Sequence, residues 1–482
     1  FHKLTLQLMF NIHEIEDAYD VFVAFETMNN RGKKLTNLEL LKNRLIYLST
    51  LYDTDKLDAM DKAELRKQIN DAWKEVYYQL GRNQHFPLSD DEFLRAHWII
   101  YFQYSRKKGD DYIKFLLNKF SAKNVFDKQI VAIEEEVQET VDLELEDDDV
   151  PQPAETEPIN TISKLEPFEI AAYVNSLKDV AKYWFYTYFP ELSDLTHEEK
   201  AWLDRLNRIG IGYFRPLVTA SLTPNAHTTT EERIELFRAI ERFIFLSFRM
   251  AAFQSSYKSS DYNRKTREIY MGELAIDEVT QDLIDTANSD MDFAIKNFMT
   301  RMDKRFLNGD GFFGWRDLRY LLFEYEYEKA LETGIEKLGW TPFTKIEKDK
   351  VSIEHILPQT PTKWYWRNQF RQYTEDEIKI LSGTLGNLLP LSQSVNSALQ
   401  NDSFAEKKST KTNGRRGYED GSHSEIEVSR EVDWDAPSIL ARGIKMLRFI
   451  ETRWNIKFAD EAQMIELLHI PFVNDGRPDV PE

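Results

Sequence analysis

The sequence predicts a mainly α protein with small α+β parts towards its two ends. Three observations predict it. Apolar and aromatic residues recur at helical spacing from about residue 50 to 128, and again beyond 160 as far as about 340. Two short apolar runs near the carboxy terminus, VSIEHILP and LGNLLPLS, are bounded by turn residues and suit strands. A run near the amino terminus, MFNIHEI, reads as a further strand.

The elements follow in order. After MFNIHEI comes a helical stretch, VFVAFETM, and then a loop, NNRGKK, whose Asn29, Asn30 and Gly32 tolerate positive φ. The next helix has a marked start, because Thr36 and Glu39 can form a reciprocal capping box. Leu38, Leu41, Leu45 and Leu48 then lie on one face. Helices are expected in LRKQINDAWKEVYYQL and DEFLRAHWIIYFQY, and later in PFEIAAYVNSLKDVAKYWFYTYF, EERIELFRAIERFIFLSFRM and QDLIDTANSDMDFAIKNFM. WRDLRYLLFEYEYEKALETG should stop at Gly334. Beyond the two carboxy-terminal strands, NSALQNDSFAEKK reads as one helix and WDAPSILARGIKMLRFIETRW as another. No fixed-period repeat is present.

The chain has 482 residues, 42% of them hydrophobic, enough for two or three domains with cores. It has no cysteine, which excludes disulfides and thiolate zinc sites and fits a reducing compartment. No stretch approaches the roughly 18 uninterrupted apolar residues of a membrane span, and the amino terminus lacks a signal-peptide layout. A soluble, cytoplasmic protein without a membrane partner is expected. The net charge of −20 argues naively against nucleic acid, but each charge acts over only about 8–10 Å at cellular salt. Many of the acids fall in one run, Glu134 to Pro158, that contains no Lys or Arg and reads as a solvated linker. Basic clusters remain elsewhere, notably Lys407, Lys408, Lys411, Arg415 and Arg416.

Hydrolysis of a phosphodiester needs an activated water, a cation to absorb developing charge and a grip on the phosphates. His355 can supply the first, since a neutral imidazole can take a proton from water near pH 7. Glu354 projects to the opposite side of a strand and can bind a hard divalent ion. The interval from Asn387 to Asn396 holds a strand, a turn and the first turn of a helix. That returns Asn396 to the first strand, where its amide oxygen would complete a metal site with Glu354. Asn387 reads either as a member of the catalytic set or as a clamp on the loop after EHILP. Lys407, with Lys408, Arg415 and Arg416 behind it, is placed to meet a phosphate backbone. The plain alternatives stay open: a satisfied strand-end histidine at 355, a turn residue at 387, a solvated helix face at 407 and 408.

The combination E-H-I-L-P, then L-G-N-L, then N…F…K resembles the ββα-metal (His-Asn-His/Asn) nuclease motif. It is similar to the variant in the carboxy-terminal domain of the GmrSD family of type IV, modification-dependent restriction endonucleases. The elements fall on Glu354, His355 and Pro358, on Gly386, Asn387 and Leu388, and on Asn396, Phe404 and Lys407. A trailing pattern adds Trp434, Ile439, Arg442, Leu447 and Trp454. The amino-terminal FETMNNRGKKLTNLELLK is independently similar to the ParB/sulfiredoxin-like nucleotide-hydrolysing domain of the same family, on Phe25, Asn29, Gly32, Leu35, Glu39 and Leu40. The D-G-Q-Q-R motif that carries much of the nucleotide chemistry there lies upstream and is absent, because the chain begins too late to contain it; a truncation and missing leading residues both stay open.

The resemblance implies a serial organisation: residues 1–50 the end of a ParB-like domain, 51–133 helical, 134–160 an acidic linker, 161–340 helical, and 341–482 a nuclease domain. It implies double-stranded DNA as substrate, with modified cytosine among the family's targets, in bacterial defence against phage. Mg²⁺ or Mn²⁺ would be held by Glu354 and Asn396, His355 would be the base, and products would carry 5′-phosphate and 3′-hydroxyl ends. A nucleoside triphosphate would act in the complete protein, with Asn29, Asn30 and Arg31 as its candidate contacts. A homo-oligomer stays open. Two other classes also remain: a DNA-binding sensor with a silent nuclease motif, and a helical scaffold.

Overall fold

The computed structural model describes residues 35–53, 57–103, 112–130, 161–341, 350–409 and 416–474. The expected amino-terminal strand, the Asn29, Asn30 and Arg31 loop, the acidic segment and Arg415 lie outside the described residues. The described chain is mainly helical, with two small two-stranded sheets. Among the described residues no helix is long and apolar enough to cross a membrane.

Two compact units interleave along the chain. The first comprises Phe1–Asp194, Arg215–Thr228 and Ser260–Leu274, and the second Leu195–Phe214, Thr229–Ser259 and Ala275–Glu482. This differs from the serial division expected from sequence. The helix Arg215–Ser221 packs on helices Asp90–Tyr101 and Pro167–Tyr188, and Tyr270 bonds to Ser176, so chain segments remote in sequence rejoin the first unit.

In the first unit, the helix Asn37–Leu51 starts at the expected capping box. Thr36 N donates to Glu39 Oε2 (2.9 Å), and Glu39 N donates to Thr36 Oγ1 (3.2 Å). Its Leu38, Leu41, Leu45 and Leu48 are fully buried, and the Trp73 indole donates to the Leu38 carbonyl (3.0 Å). His97 is buried among Phe93, Tyr101 and Tyr173, with Nε2 2.9 Å from Ser176 Oγ. Burial pulls its imidazole down to about 3, so it is a neutral core residue. Two short strands, Lys128–Ile130 and Thr161–Ser163, pair antiparallel, with Ile130 opposite Thr161.

In the second unit the helices His197–Ile209, Thr230–Phe243, Leu318–Thr333 and Ala436–Trp454 share a buried charged network. Arg453 grips Glu241 with two bonds (2.7 and 2.9 Å) and also reaches Glu324 (3.2 Å). Arg208 Nε donates to the other oxygen of Glu324 (3.0 Å), and Tyr320 donates to Glu241 (2.6 Å). The helix Leu318–Thr333 stops at Gly334, whose φ of 70° lies in the left-handed region.

The carboxy-terminal strands Val351–His355 and Leu388–Ser392 pair antiparallel, with Ser352 opposite Leu391 and His355 opposite Leu388. The expected single helix beyond them is corrected to two. NSALQNDSFAEKK divides into Gln393–Leu399 and Phe404–Lys408. Gln400 takes a positive φ of 35°, which ends the first helix, and Ser403 forms a capping box with Glu406 that starts the second.

Replacing Arg453 by Met leaves Glu241 and Glu324, each 1% exposed, without their shared cation. The expected loss is about 3–5 kcal/mol of stability, measured by urea unfolding. A loss below about 1 kcal/mol would show that the network is not stabilising.

Candidate functional site

Period-two alternation puts Ser352 and Glu354 on one face of the first strand and His355 on the other. Glu354 is 3% exposed and does not meet solvent. Lys407, fully buried on the short helix Phe404–Lys408, donates from Nζ to Glu354 Oε1 at 2.6 Å. The same ammonium donates to the carbonyls of Ile356 (3.1 Å) and His355 (3.3 Å), so its three hydrogens have three acceptors. The Tyr418 hydroxyl, also fully buried, donates to Glu354 Oε1 at 3.1 Å. Burial pushes the Glu354 carboxyl up and the Lys407 ammonium down, and each is opposed by the other's charge.

This geometry corrects two expectations. Lys407 is no surface contact for DNA phosphate, because its charge is spent inside on Glu354. Glu354 is likewise not presented as a metal ligand. Asn396 does return to the first strand, but its Nδ2 donates to Ser352 Oγ (2.8 Å), which donates to the Leu391 carbonyl (3.1 Å). Ser352 lies two residues before Glu354, roughly 7 Å along the strand. The oxygen donors beside Asn396 are therefore neutral, and among the described residues no three His, Asp or Glu side chains converge as a metal cluster. The residues present do not fit a resident Mg²⁺ or Mn²⁺ held by Glu354 and Asn396.

His355 sits at the strand end with its ring 4.8 Å from that of Phe313, centroid to centroid. Its Nε2 is buried without a hydrogen-bond partner. Burial, and after it the Lys407 charge, pull the imidazole down to about 4, so it is neutral at pH 7. A neutral ring with an unengaged nitrogen can accept a proton.

Asn387 is fully buried and clamps the loop after EHILP. Its Oδ1 accepts from Leu357 N (2.8 Å) and Trp434 Nε1 (3.1 Å), and its Nδ2 donates to the carbonyls of Leu357 and Ser382 (2.9 Å each). With all four bonds made inside the protein it is a positioning residue, so its place in the catalytic set is corrected to that extent. Arg442 Nη1 holds the Gly386 and Leu388 carbonyls (2.7 and 2.8 Å). Gly386 is required there, because a Cβ would come within 2.0 Å of the Ile439 carbonyl oxygen.

Lys408 and Arg416 are also engaged. Lys408 Nζ donates to the Glu431 carbonyl (2.6 Å), and Arg416 Nη2 to Glu425 Oε1 (2.8 Å). Sequence reasoning missed Ser352, Tyr418 and Phe313. Ser352 had a signal in its period-two relation to Glu354. Tyr418 and Phe313 had none, since only the fold brings them in.

Residues 303–449 match the family model described as GmrSD restriction endonucleases, C-terminal domain. No curated protein matches the chain.

Glu354→Gln and Lys407→Met should each cost about 3–5 kcal/mol, and the double variant distinctly less than the sum. Denaturant unfolding of the three proteins measures this, and strict additivity would deny the pairing. The His355 pKa lies below its ordinary 6.5. The stability it contributes is therefore present above pH 6.5 and lost as pH falls towards about 4. His355→Gln should reduce the acid-side fall of the urea midpoint over that window, with the residual slope due in part to His97.

Proposed function

We propose that this chain carries a DNA endonuclease that hydrolyses phosphodiester bonds, with His355 as the general base. The observation that carries the reading is the neutral His355 imidazole, its Nε2 unengaged, at the end of a braced strand within residues 303–449. The Glu354–Lys407–Tyr418 brace fixes the backbone on either side of the ring. A base near 4 is always unprotonated at pH 7 but only weakly basic. An arriving phosphate, being an anion, would offset the Lys407 charge and raise it towards the useful range.

In the finer reading, DNA bearing modified cytosine, as in phage, is the substrate, and cleavage leaves 5′-phosphate and 3′-hydroxyl ends. A nucleoside triphosphate acts through the segment around Asn29, Asn30 and Arg31. A specific observation favours a second reading, a DNA-binding sensor whose nuclease motif is silent: Glu354 is committed to Lys407, and Asn396 is bonded to the neutral Ser352 hydroxyl.

Incubation with supercoiled plasmid, unmodified or carrying modified cytosine, with and without Mg²⁺, Mn²⁺ and nucleoside triphosphate, separates the two. Nicking that falls by about 10²–10⁴-fold in His355→Ala is expected. Equal cutting by that variant would remove His355 as the base. Binding without cutting under every condition would leave the sensor.

A further inference from the structure

Of the basic residues picked out by sequence, Lys407 is buried and Lys408 and Arg416 are engaged, yet the fold assembles a different cationic surface. In the second unit a groove of about 710 Å³ lies between the helices that carry Trp202, Arg238, Tyr325 and Arg448. Arg205, Arg238, Lys329, Lys445, Arg448 and Arg453 line it, against only two lining acids, Glu328 and Glu332. Lys329 pairs with Glu427 and Arg453 with Glu241 and Glu324, so the charge most open to an incoming anion is that of Arg205.

The central residue is Arg205. Its guanidinium lies 4.8 Å from the Trp202 ring centroid and 5.2 Å from that of Tyr327. Its Nε is buried without a hydrogen-bond partner. The two rings hold the guanidinium in place, and among the described residues no carboxylate forms an ion pair with it, which suits capture of a phosphate. The rim cations differ. Arg238 pairs with Glu235, Lys445 with Glu427, and Arg448 with Glu451 and Glu461. Glu427 and Glu451 are largely buried, but in Arg238–Glu235 and Arg448–Glu461 both side chains are more than half exposed, and exposed pairs of this kind contribute only about 0–1 kcal/mol. A polyanion can displace those carboxylates at small cost.

The aromatic faces decide what is read. Trp202 is 7% exposed and already has Arg205, Arg238 and Arg453 over its ring, so no base can stack on it. At Trp202 the groove therefore offers charge for phosphates and no ring face for a base. Its cations come from four helices, more than a single phosphate group requires.

We propose that this groove binds the phosphodiester backbone of DNA without regard to sequence, with Arg205 as the central contact and Lys445 and Arg448 at the rim. The choice of DNA as the polyanion rests on the endonuclease reading; the phosphate chemistry does not.

The test is fluorescence anisotropy of a short labelled DNA duplex with the full chain, in EDTA across a salt series. Arg205→Ala should weaken binding about tenfold at low salt and make the slope of log K against log salt shallower by about one. The Lys445→Ala/Arg448→Ala double variant should shift the slope by about two and decides the matter if Arg205→Ala lowers the melting temperature. Lys457→Ala, exposed and outside the groove, should leave both unchanged. Groove variants that bind and respond to salt like the parent would overturn the proposal, as would a parent that does not bind duplex at low salt. Displacement of the duplex by ATP at matched phosphate concentration would overturn it in favour of a nucleotide pocket. Loss of binding in groove variants alongside unchanged cutting by His355→Ala would sink His355 as the base and leave the groove standing; the converse result would do the reverse.

Discussion

Burying a carboxylate and an ammonium together costs several kcal/mol per ion before their attraction is counted. The Glu354–Lys407 pair persists because its surroundings complete its hydrogen bonds. Lys407 takes two backbone carbonyls from the turn after the strand, and Tyr418 adds a donor to the carboxylate. Those demands fix the path of the chain from Glu354 to Ile356 and the seating of the helix Phe404–Lys408. They thereby fix His355, whose carbonyl is one of the acceptors. The imidazole's position is a by-product of neutralising its neighbour.

A second layer holds the other side of the same turn. Asn387 bonds both the N–H and the carbonyl of Leu357, Trp434 closes on Asn387, and Arg442 anchors the carbonyls on either side of Asn387. Every one of these groups is buried, so loss of any partner strands a polar atom away from water. By contrast, the Ser352–Asn396 contact two residues earlier on the same strand is only part-buried and neutral. Rigidity is concentrated around Glu354 and the turn that follows it.

Much of the fold was legible because its signals are local. The Thr36–Glu39 cap, the leucine face from Leu38 to Leu48 and the stop at Gly334 each depend on residues within a few turns of one another. The candidate site was legible in its membership and not in its wiring. Glu354, His355, Asn387, Asn396 and Lys407 all gather near the first strand, but Lys407 resembled any lysine on a solvated helix. The helix proved only five residues long, begun by Ser403 after a break at Gln400, and that register turns Lys407 inward. Tyr418 lies 64 positions from Glu354, and no periodicity links them. The cationic groove escaped notice for the same reason, since its lining is spread over four helices that only packing brings together.

The small hairpin of the first unit has a separate consequence. Ile130 and Thr161 are cross-strand partners, so their Cα atoms stand about 5 Å apart. The intervening acidic stretch therefore enters and leaves the domain through a single doorway, and closing or lengthening it changes no strand register. Such a staple makes the join between Ile130 and Thr161 a place where a reporter domain can be spliced in while the helices on either side keep their places.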